Sequence, residues 1–246
     1  VYNQSLGVLH RTETLRLPGL KSPMAIVIPN LLTAAELERI RARLATAAFG
    51  DGAATAGPQA RLVKRNEQVP RGDPAEQELA PLVVAAFERS PTFMAAALPR
   101  RMTNPMFSRY TPGMEYGSHV DNAVMSMPER IRTDVSVTLF LAQPDEYDGG
   151  ELVVEQGSAS QRVKLAAGSA VAYPSTTVHH VAPVTRGARI AAVMWVQSLI
   201  REEAQRQILL DLARAGQTLR QRDPKSTELM LVDASYHNLM RMWAEC

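Results

Sequence analysis

From Met106 to Ser198 the chain is written in short apolar runs separated by turn residues, and this pattern limits the fold more than any other feature of its 246 residues. The clearest runs are Val135 to Ala142, Glu151 to Glu155, Ser169 to Tyr173 and Arg189 to Gln197. Asp148-Gly149-Gly150, Gly157, Gly168 and Gly187 stand between them, where the backbone must turn sharply. Several short strands at this spacing predict an antiparallel sandwich or barrel, here a double-stranded β-helix, or jelly roll. The longest uncharged stretch, Leu165 to Thr185, contains Gly168, Pro174, His179, His180 and Pro183. A membrane-spanning helix would leave those groups unsatisfied in lipid, so two buried strands and a turn are expected there and no membrane span.

Helical signals flank this region. Met24 to Pro29 reads as a strand, and Thr33-x-x-Glu36 is a capping box followed by Leu37, Ile40 and Leu44 at helical spacing, predicting a helix to about Ala48. Gly50 to Pro58 reads as a loop and Ala60 to Val69 as a strand carrying Lys64 and Asn66. Asp73-Pro74-x-Glu76 opens a helix whose buried stripe is Leu79, Leu82, Val83, Ala86 and Phe87. Ser90-Pro91 starts a short one that Pro99 ends. After Leu199 a helix over 200–222 breaks at Asp223-Pro224, and Ser226 or Thr227 caps a last one with Leu229, Val232, Tyr236, Leu239, Met240 and Trp243 on one face. That face packs on the core or joins two copies of the chain. The expected architecture is α+β with a mainly β core. Residues 1–23 form an extension, 24–199 a jelly-roll domain with N-terminal helical support, and 200–246 a C-terminal helical pair.

Lys and Arg number 27 against 25 Asp and Glu, and a net charge of +2 gives no electrostatic case for nucleic acid. The one cysteine, Cys246, excludes an internal disulfide and a multi-cysteine metal site. A reducing compartment, the cytoplasm, is expected. Val1 to Leu9 has no basic stretch leading into an apolar core, so no export signal is expected. The histidines are then the main soft metal ligands.

In His119-Val120-Asp121, a strand would present imidazole and carboxylate on one face, a donor pair suited to ferrous iron, manganese or zinc. Alone, it is better read as a hydrogen-bonded surface pair. In Val178-His179-His180-Val181, adjacent side chains on a strand face opposite ways, so at most one histidine is a ligand. Arg189 enters the apolar run Gly187 to Val193, and a buried guanidinium needs an anion, either an internal carboxylate or a ligand's. Together, two histidines and an aspartate make a facial triad with open metal positions. A cation on the strand joined to that of His179 by the Gly187 turn would hold the far end of a dicarboxylate such as 2-oxoglutarate. The rival readings are a non-catalytic jelly-roll module that binds or senses iron, and a zinc hydrolase with no use for Arg189.

Longer stretches carry a resemblance. They include Ala97-Leu-Pro-Arg100, Pro105-Met-Phe-Ser-Arg-Tyr110, Tyr116-Gly-Ser-His-Val-Asp-Asn-Ala123 and Arg132-Thr-Asp-Val-Ser-Val-Thr-Leu-Phe-Leu141. Tyr147-Asp-Gly-Gly-Glu-Leu152, Tyr173-Pro-Ser175, Ala192-Val-Met-Trp-Val-Gln-Ser198 and Tyr236-His-Asn-Leu239 continue it. From about Met24 to its end the chain resembles the Fe(II)/2-oxoglutarate dioxygenases of the prolyl/lysyl hydroxylase-domain type, specifically the bacterial PKHD-type hydroxylases associated with iron uptake. Residues 1–23 fall outside the resemblance, which makes Met24 an expected start.

The resemblance implies that His119, Asp121 and His179 bind Fe(II), that Arg189 holds the distal carboxylate of 2-oxoglutarate and that Tyr110 hydrogen-bonds it. Phe140 stands where animal prolyl hydroxylases often carry a tyrosine. The implied reaction hydroxylates an unactivated C–H bond of a small-molecule or peptidyl substrate with O2, releasing succinate and CO2, with no catalytic side chain beyond the metal site. A link to L-ascorbate is implied as well. His180 reads as packing behind the site, and Asn122 as satisfying backbone groups or contacting substrate. The cluster Met102, Met106, Met114, Met125 and Met127 reads as adaptable packing, of which some could line a substrate channel. His10 reads as exposed, and Lys64, Arg65, Arg100 and Arg101 as solvated surface that could rim the site's mouth.

Overall fold

The computed structural model describes residues 25–126, 130–157 and 159–245. The expected extension 1–23 with His10, and Met24, Met127 and Cys246, lie outside them. In chain order the strands are β1 (Ile26–Ile28), β2 (Gly50–Asp51), β3 (Lys64–Arg65), β4 (Glu67–Gln68), β5 (Pro99–Met102), β6 (Met106–Tyr110), β7 (Glu115–His119), β8 (Val124–Ser126) and β9 (Arg130–Arg132). They continue as β10 (Val135–Phe140), β11 (Tyr147–Gly149), β12 (Leu152–Gln156), β13 (Ala159–Val163), β14 (Ala170–Pro174), β15 (His179–Val181), β16 (Val184–Gly187) and β17 (Arg189–Ser198). The helices are α1 (Ala34–Ala45), α2 (Pro58–Arg61), α3 (Pro74–Glu88), α4 (Pro91–Ala97), α5 (Glu203–Arg222) and α6 (Thr227–Trp243).

A larger sheet runs β1-β14-β10-β17-β6-β4-β2 with β5 also on β17, and a smaller one runs β13-β12-β15-β7-β3. The pairing is antiparallel throughout both sheets, as a jelly roll requires. Alternation along the strands explains the layering. On β10, Val135, Val137 and Leu139 join Ile40, Leu79, Val83, Phe87 and Phe93 in a core between the larger sheet and α1, α3 and α4. Phe140 turns the other way, into a second core that Tyr110, Leu152, Val154, Tyr173 and Val181 fill between the sheets. On β17, Ala192, Met194 and Val196 face the helices, while Arg189, Val193 and Trp195 line the cavity between the sheets.

The helices start where expected. Thr33 and Glu36 make the reciprocal capping box of α1, which ends at Ala45 rather than Ala48. Asp73 accepts the Ala75 N–H at 2.7 Å at the start of α3, and Leu79, Val83 and Phe87 along it are fully buried at 0% exposure. Each contributes about 2 kcal/mol of apolar burial. Ser226, not Thr227, caps α6.

Between residues 50 and 69 the structure departs from expectation. There is no long strand over Ala60 to Val69. Gly52–Thr55 forms a 3-10 turn and α2 a single helical turn. The chain then joins the smaller sheet at β3, paired with β7, and crosses at once to the larger sheet at β4, paired with β6.

The C-terminal pair packs on the domain. Leu209 of α5 lies with Leu98 and Ile200, and Tyr236, Leu239, Met240 and Trp243 of α6 cover that cluster. Arg206, buried, donates to the carbonyls of Ile200 at 2.9 Å and Arg201 at 2.6 Å. Arg132 ties the tail down through Glu245 at 2.7 Å. No helix among the described residues is long and apolar enough to cross a membrane.

Candidate metal centre

His119 closes β7 and Asp121 lies two residues on, just past the strand, while His179 opens β15 beside it, in register with His119. The Nδ1 of His119 lies 2.8 Å from the Gly117 carbonyl, and that of His179 lies 2.9 Å from the Thr177 carbonyl. A carbonyl only accepts, so each Nδ1 carries the proton and each Nε2 keeps its lone pair for the cavity. The His119 Nε2 is 3.9 Å from Asp121 Oδ1, and the His179 Nε2 is 3.7 Å from Asp121 Oδ2. One donor atom from each of the three residues lies within 4.8 Å of the others. Donors about 2.1 Å from a shared ion sit about 3 Å apart when adjacent, so small side-chain movements close this set on a metal. Two neutral imidazoles and one carboxylate, approaching from one side only, suit Fe(II) with open positions.

The surroundings fix this arrangement. The Ser136 hydroxyl on β10 donates to Asp121 Oδ2 at 2.5 Å and lies 2.7 Å from the Ser175 hydroxyl. Tyr116 stacks on the His119 ring with centroids 3.6 Å apart. Burial, and then the neighbouring His179, pull the His119 pKa down to about 4, so its ring is in the neutral, ligating form at neutral pH. His180 points to the other face of the smaller sheet, 3.5 Å from Glu155, consistent with at most one ligand in that pair.

Arg189 lies 1% exposed at the start of β17, paired in register with Tyr110. Its guanidinium carbon is 5.1 Å from the Tyr110 ring and 5.5 Å from the Phe140 ring. Its Nε has no hydrogen-bond partner, and among the described residues it forms no ion pair with a carboxylate. An internal acid is therefore not what balances it, and an anion entering the cavity fits the vacancy. One expectation needs correction. His179 and Arg189 are not on neighbouring strands: β15 belongs to the smaller sheet and β17 to the larger. The two side chains line one cavity from opposite sheets, together with His119, Asp121, Tyr110 and Tyr173.

Sequence reasoning left several groups here unassigned or with the wrong default. Lys64, by default solvated surface and otherwise a residue of the site's mouth, is 6% exposed and lines the cavity. Burial pulls its pKa down to about 8, against the opposing fields of Asp121 and Asp51. Trp195 Nε1 lines it with no partner. Behind the lining, the Tyr147 hydroxyl is also buried and unpartnered, and its ring and the Arg189 side chain both close on Gly150, which has no Cβ to meet them. A tyrosine directly before the Asp148-Gly149-Gly150 turn was the available signal for Tyr147. Met106 and Met125 of the methionine cluster reach the cavity as well.

Residues 105–197 match the family model of the 2OG-Fe(II) oxygenase superfamily, and residues 203–245 match that of the PKHD-type hydroxylase C-terminal domain. A PKHD-type hydroxylase of Paraburkholderia phymatum is 49% identical over 226 residues, covering 90% of this chain and 100% of its own. The chain belongs to the PKHD-type hydroxylase family. A member from Xanthomonas campestris is 47% identical over 227 residues, with 90% of this chain and all of its own covered (100%). A prolyl hydroxylase of Trichoplax adhaerens, solved with a hypoxia inducible factor oxygen degradation domain peptide, is similar in fold, with a TM-score of 0.52 at 16% identity over 76% of this chain and 87% of its own. The PKHD-type chain described here is an Fe(II)- and 2-oxoglutarate-dependent oxygenase that uses O2 to hydroxylate a substrate.

Proposed function

We propose that His119, Asp121 and His179 hold the Fe(II), that Arg189 takes the distal carboxylate of 2-oxoglutarate with Tyr110 beside it, and that the target is an unactivated C–H bond of a small-molecule or peptidyl substrate. The observation that carries this reading is the meeting, in one cavity, of two outward-aimed imidazole lone pairs, a carboxylate held by Ser136, and a buried cation with no acid of its own. When bound, the metal and cosubstrate would supply a coupled oxidation by O2, in which one oxygen atom enters succinate as CO2 is released and the other goes to the substrate carbon.

The side chains have simpler tasks. The Gly117 and Thr177 carbonyls keep both imidazoles in the ligating tautomer, and Ser136 fixes which carboxylate lone pair faces the ion. Phe140, Tyr110 and Tyr147 shield the guanidinium from water, which strengthens its hold on an anion. No general base is required.

In the same reading, residues 24–199 act as the catalytic unit and 200–246 brace it. Exposed Met230, Leu231 and Met242 on α6 offer a surface for association of two copies. The single cysteine supports a cytoplasmic site of action. Anaerobic titration of the metal-free protein with Fe(II) and then 2-oxoglutarate tests the site. A weak visible charge-transfer band that needs both, and that the Asp121→Ala protein lacks, is the expected result. A band that persists in Asp121→Ala overturns the ligand assignment. Iron binding with no response to 2-oxoglutarate would favour the iron-binding module instead.

A further inference from the structure

We propose that Lys64 receives a carboxylate of the primary substrate, so that the enzyme acts on molecules carrying a free acid near the target carbon. The inference rests on the reading above, in which Arg189 serves the cosubstrate.

Lys64 sits on β3, the edge strand of the smaller sheet, in register with Tyr116, and its Nζ lies 5.3 Å from the Tyr116 ring. It is 6% exposed. The amine donates to the Thr55 hydroxyl at 2.9 Å, Thr55 donates to Gln68 Oε1 at 2.6 Å, and Gln68 Nε2 donates to the Ser108 hydroxyl at 3.2 Å. This chain of bonds spans both sheets and holds the amine in place at the cavity wall. An ammonium has three N–H donors, and Thr55 takes one. Among the described residues no carboxylate forms an ion pair with Lys64; Asp121 and Asp51 act on it only through their fields.

Charge within the site then becomes decisive. A divalent iron, Asp121, doubly negative 2-oxoglutarate and Arg189 sum to neutrality. Lys64 is left over as a buried cation facing the same space. A buried lysine kept only for packing would be better replaced by an apolar chain of equal length, because an uncompensated charge is costly. A cation held by a relay and unpaired by the protein is what an incoming anion needs. Its place favours substrate over cosubstrate. Lys64 belongs to the segment whose Thr55, Ala56, Gly57 and Ala60, exposed or half-buried, line the cavity, whereas Arg189 lies buried on a central strand of the larger sheet. One compact ammonium without a guanidinium fork matches a single carboxylate.

The chain has only four lysines, Lys21, Lys64, Lys164 and Lys225, so lysine labelled with carbon-13 at Cε gives a countable spectrum in which Lys64→Arg assigns one signal. The full-length protein is loaded with Zn(II) and saturating 2-oxoglutarate, then titrated with N-acetylglycine or with uncharged N-acetylglycinamide. The acid is expected to move the Lys64 signal alone and the amide to leave it in place. Lys64→Met should weaken N-acetylglycine binding, followed by calorimetry, at least about tenfold, and Lys64→Arg should retain it. The proposal is overturned if 2-oxoglutarate alone moves the Lys64 signal to its end point, because the amine then belongs to the cosubstrate. It is equally overturned if acid and amide act alike or both leave the signal unmoved. Failure of the underlying reading shows separately, as a missing Fe(II)/2-oxoglutarate band.

Discussion

Replacing Arg189 with methionine should cost far more cosubstrate affinity than stability, and the structure sets both magnitudes. Without ligand, the guanidinium is 1% exposed, its Nε is unpartnered and no described acid pairs with it. Exchanging such a cation for an apolar chain of similar length is neutral or stabilising by about 1–4 kcal/mol. Against this stand its contacts with the Tyr110 and Phe140 rings at 5.1 and 5.5 Å, together about 1–2 kcal/mol. The net lies between about −2 and +3 kcal/mol, so at about 2–4 °C per kcal/mol the melting temperature should lie between about 8 °C below and about 12 °C above the parent's. With 2-oxoglutarate the same change removes one half of a buried charge pair, at about 2–5 kcal/mol, which is roughly a 30-fold to several-thousand-fold loss of affinity. Thermal unfolding of the ligand-free protein by circular dichroism gives the first quantity. Anaerobic 2-oxoglutarate titration of the Fe(II)-loaded protein gives the second. A variant that melts about 10 °C or more below the parent while binding 2-oxoglutarate normally would show that Arg189 answers to the protein and not to a ligand.

Three further outcomes follow from particular contacts. Ser136→Ala frees Asp121 Oδ2 from its 2.5 Å hydrogen bond and should weaken metal binding about 10–100-fold; calorimetric titration with Mn(II) that gives parental affinity would refute it. Gly187 has φ +70°, and a Cβ there would lie 1.9 Å from the Glu146 carbonyl oxygen, so Gly187→Ala should destabilise the fold by about 2–4 kcal/mol, and an unchanged urea midpoint would contradict this. The hydrogen bond from Arg41 holds the Glu146 pKa below the ordinary 4.5, with a further bond from the Gln143 N–H. A depressed carboxyl stabilises the fold above its unfolded pKa and loses that effect as pH falls through its folded value. The stability gap between parent and Glu146→Gln in urea should therefore be constant above about pH 5 and close below pH 4.5. A gap that widens on acidification would refute the sign.

The jelly roll was legible because its long strands carry a period of two. In β10 every second residue, Ser136 and Thr138, interrupts an apolar run; Thr138 lines the cavity and Ser136 reaches Asp121 in it. The candidate donor set was legible for the same reason, since His119 and Asp121 keep the spacing that brings them to one side. The segment from residue 50 to 69 was not, because β2, β3 and β4 each have two residues and a period cannot be read in two residues. For that reason Lys64 could be offered for the mouth of the site only as the alternative to surface, since a lysine amid Arg61, Arg65 and Glu67 reads as surface by default until the crossing between sheets is known. The adjacency expected of His179 and Arg189 failed for a topological reason. Chain order suggests a hairpin, but the chain passes from the smaller sheet at β15 through β16 to the larger sheet at β17.

That division between sheets bears on how the centre works. Both imidazoles come from the smaller sheet, on β7 and β15, while the serine that fixes the carboxylate and the cation that waits for an anion come from the larger one, on β10 and β17. The larger sheet is backed by α1, α3 and α4, so Ser136 and Arg189 stand on its rigid inner face. The smaller sheet has no such backing in that core. Asp121 leaves the end of β7 and reaches Ser136 across the cavity, and the Thr55-Gln68-Ser108 chain crosses it again from Lys64. Through the Ser136 bond, the position of the Asp121 carboxylate depends on how closely the two sheets approach. A metal held by His119, His179 and Asp121 would fix that carboxylate against Ser136, and an anion held by Arg189 would sit against the same face of the larger sheet. Binding of either should therefore favour the other through the packing of the two sheets, without a contact between the protein groups that hold them.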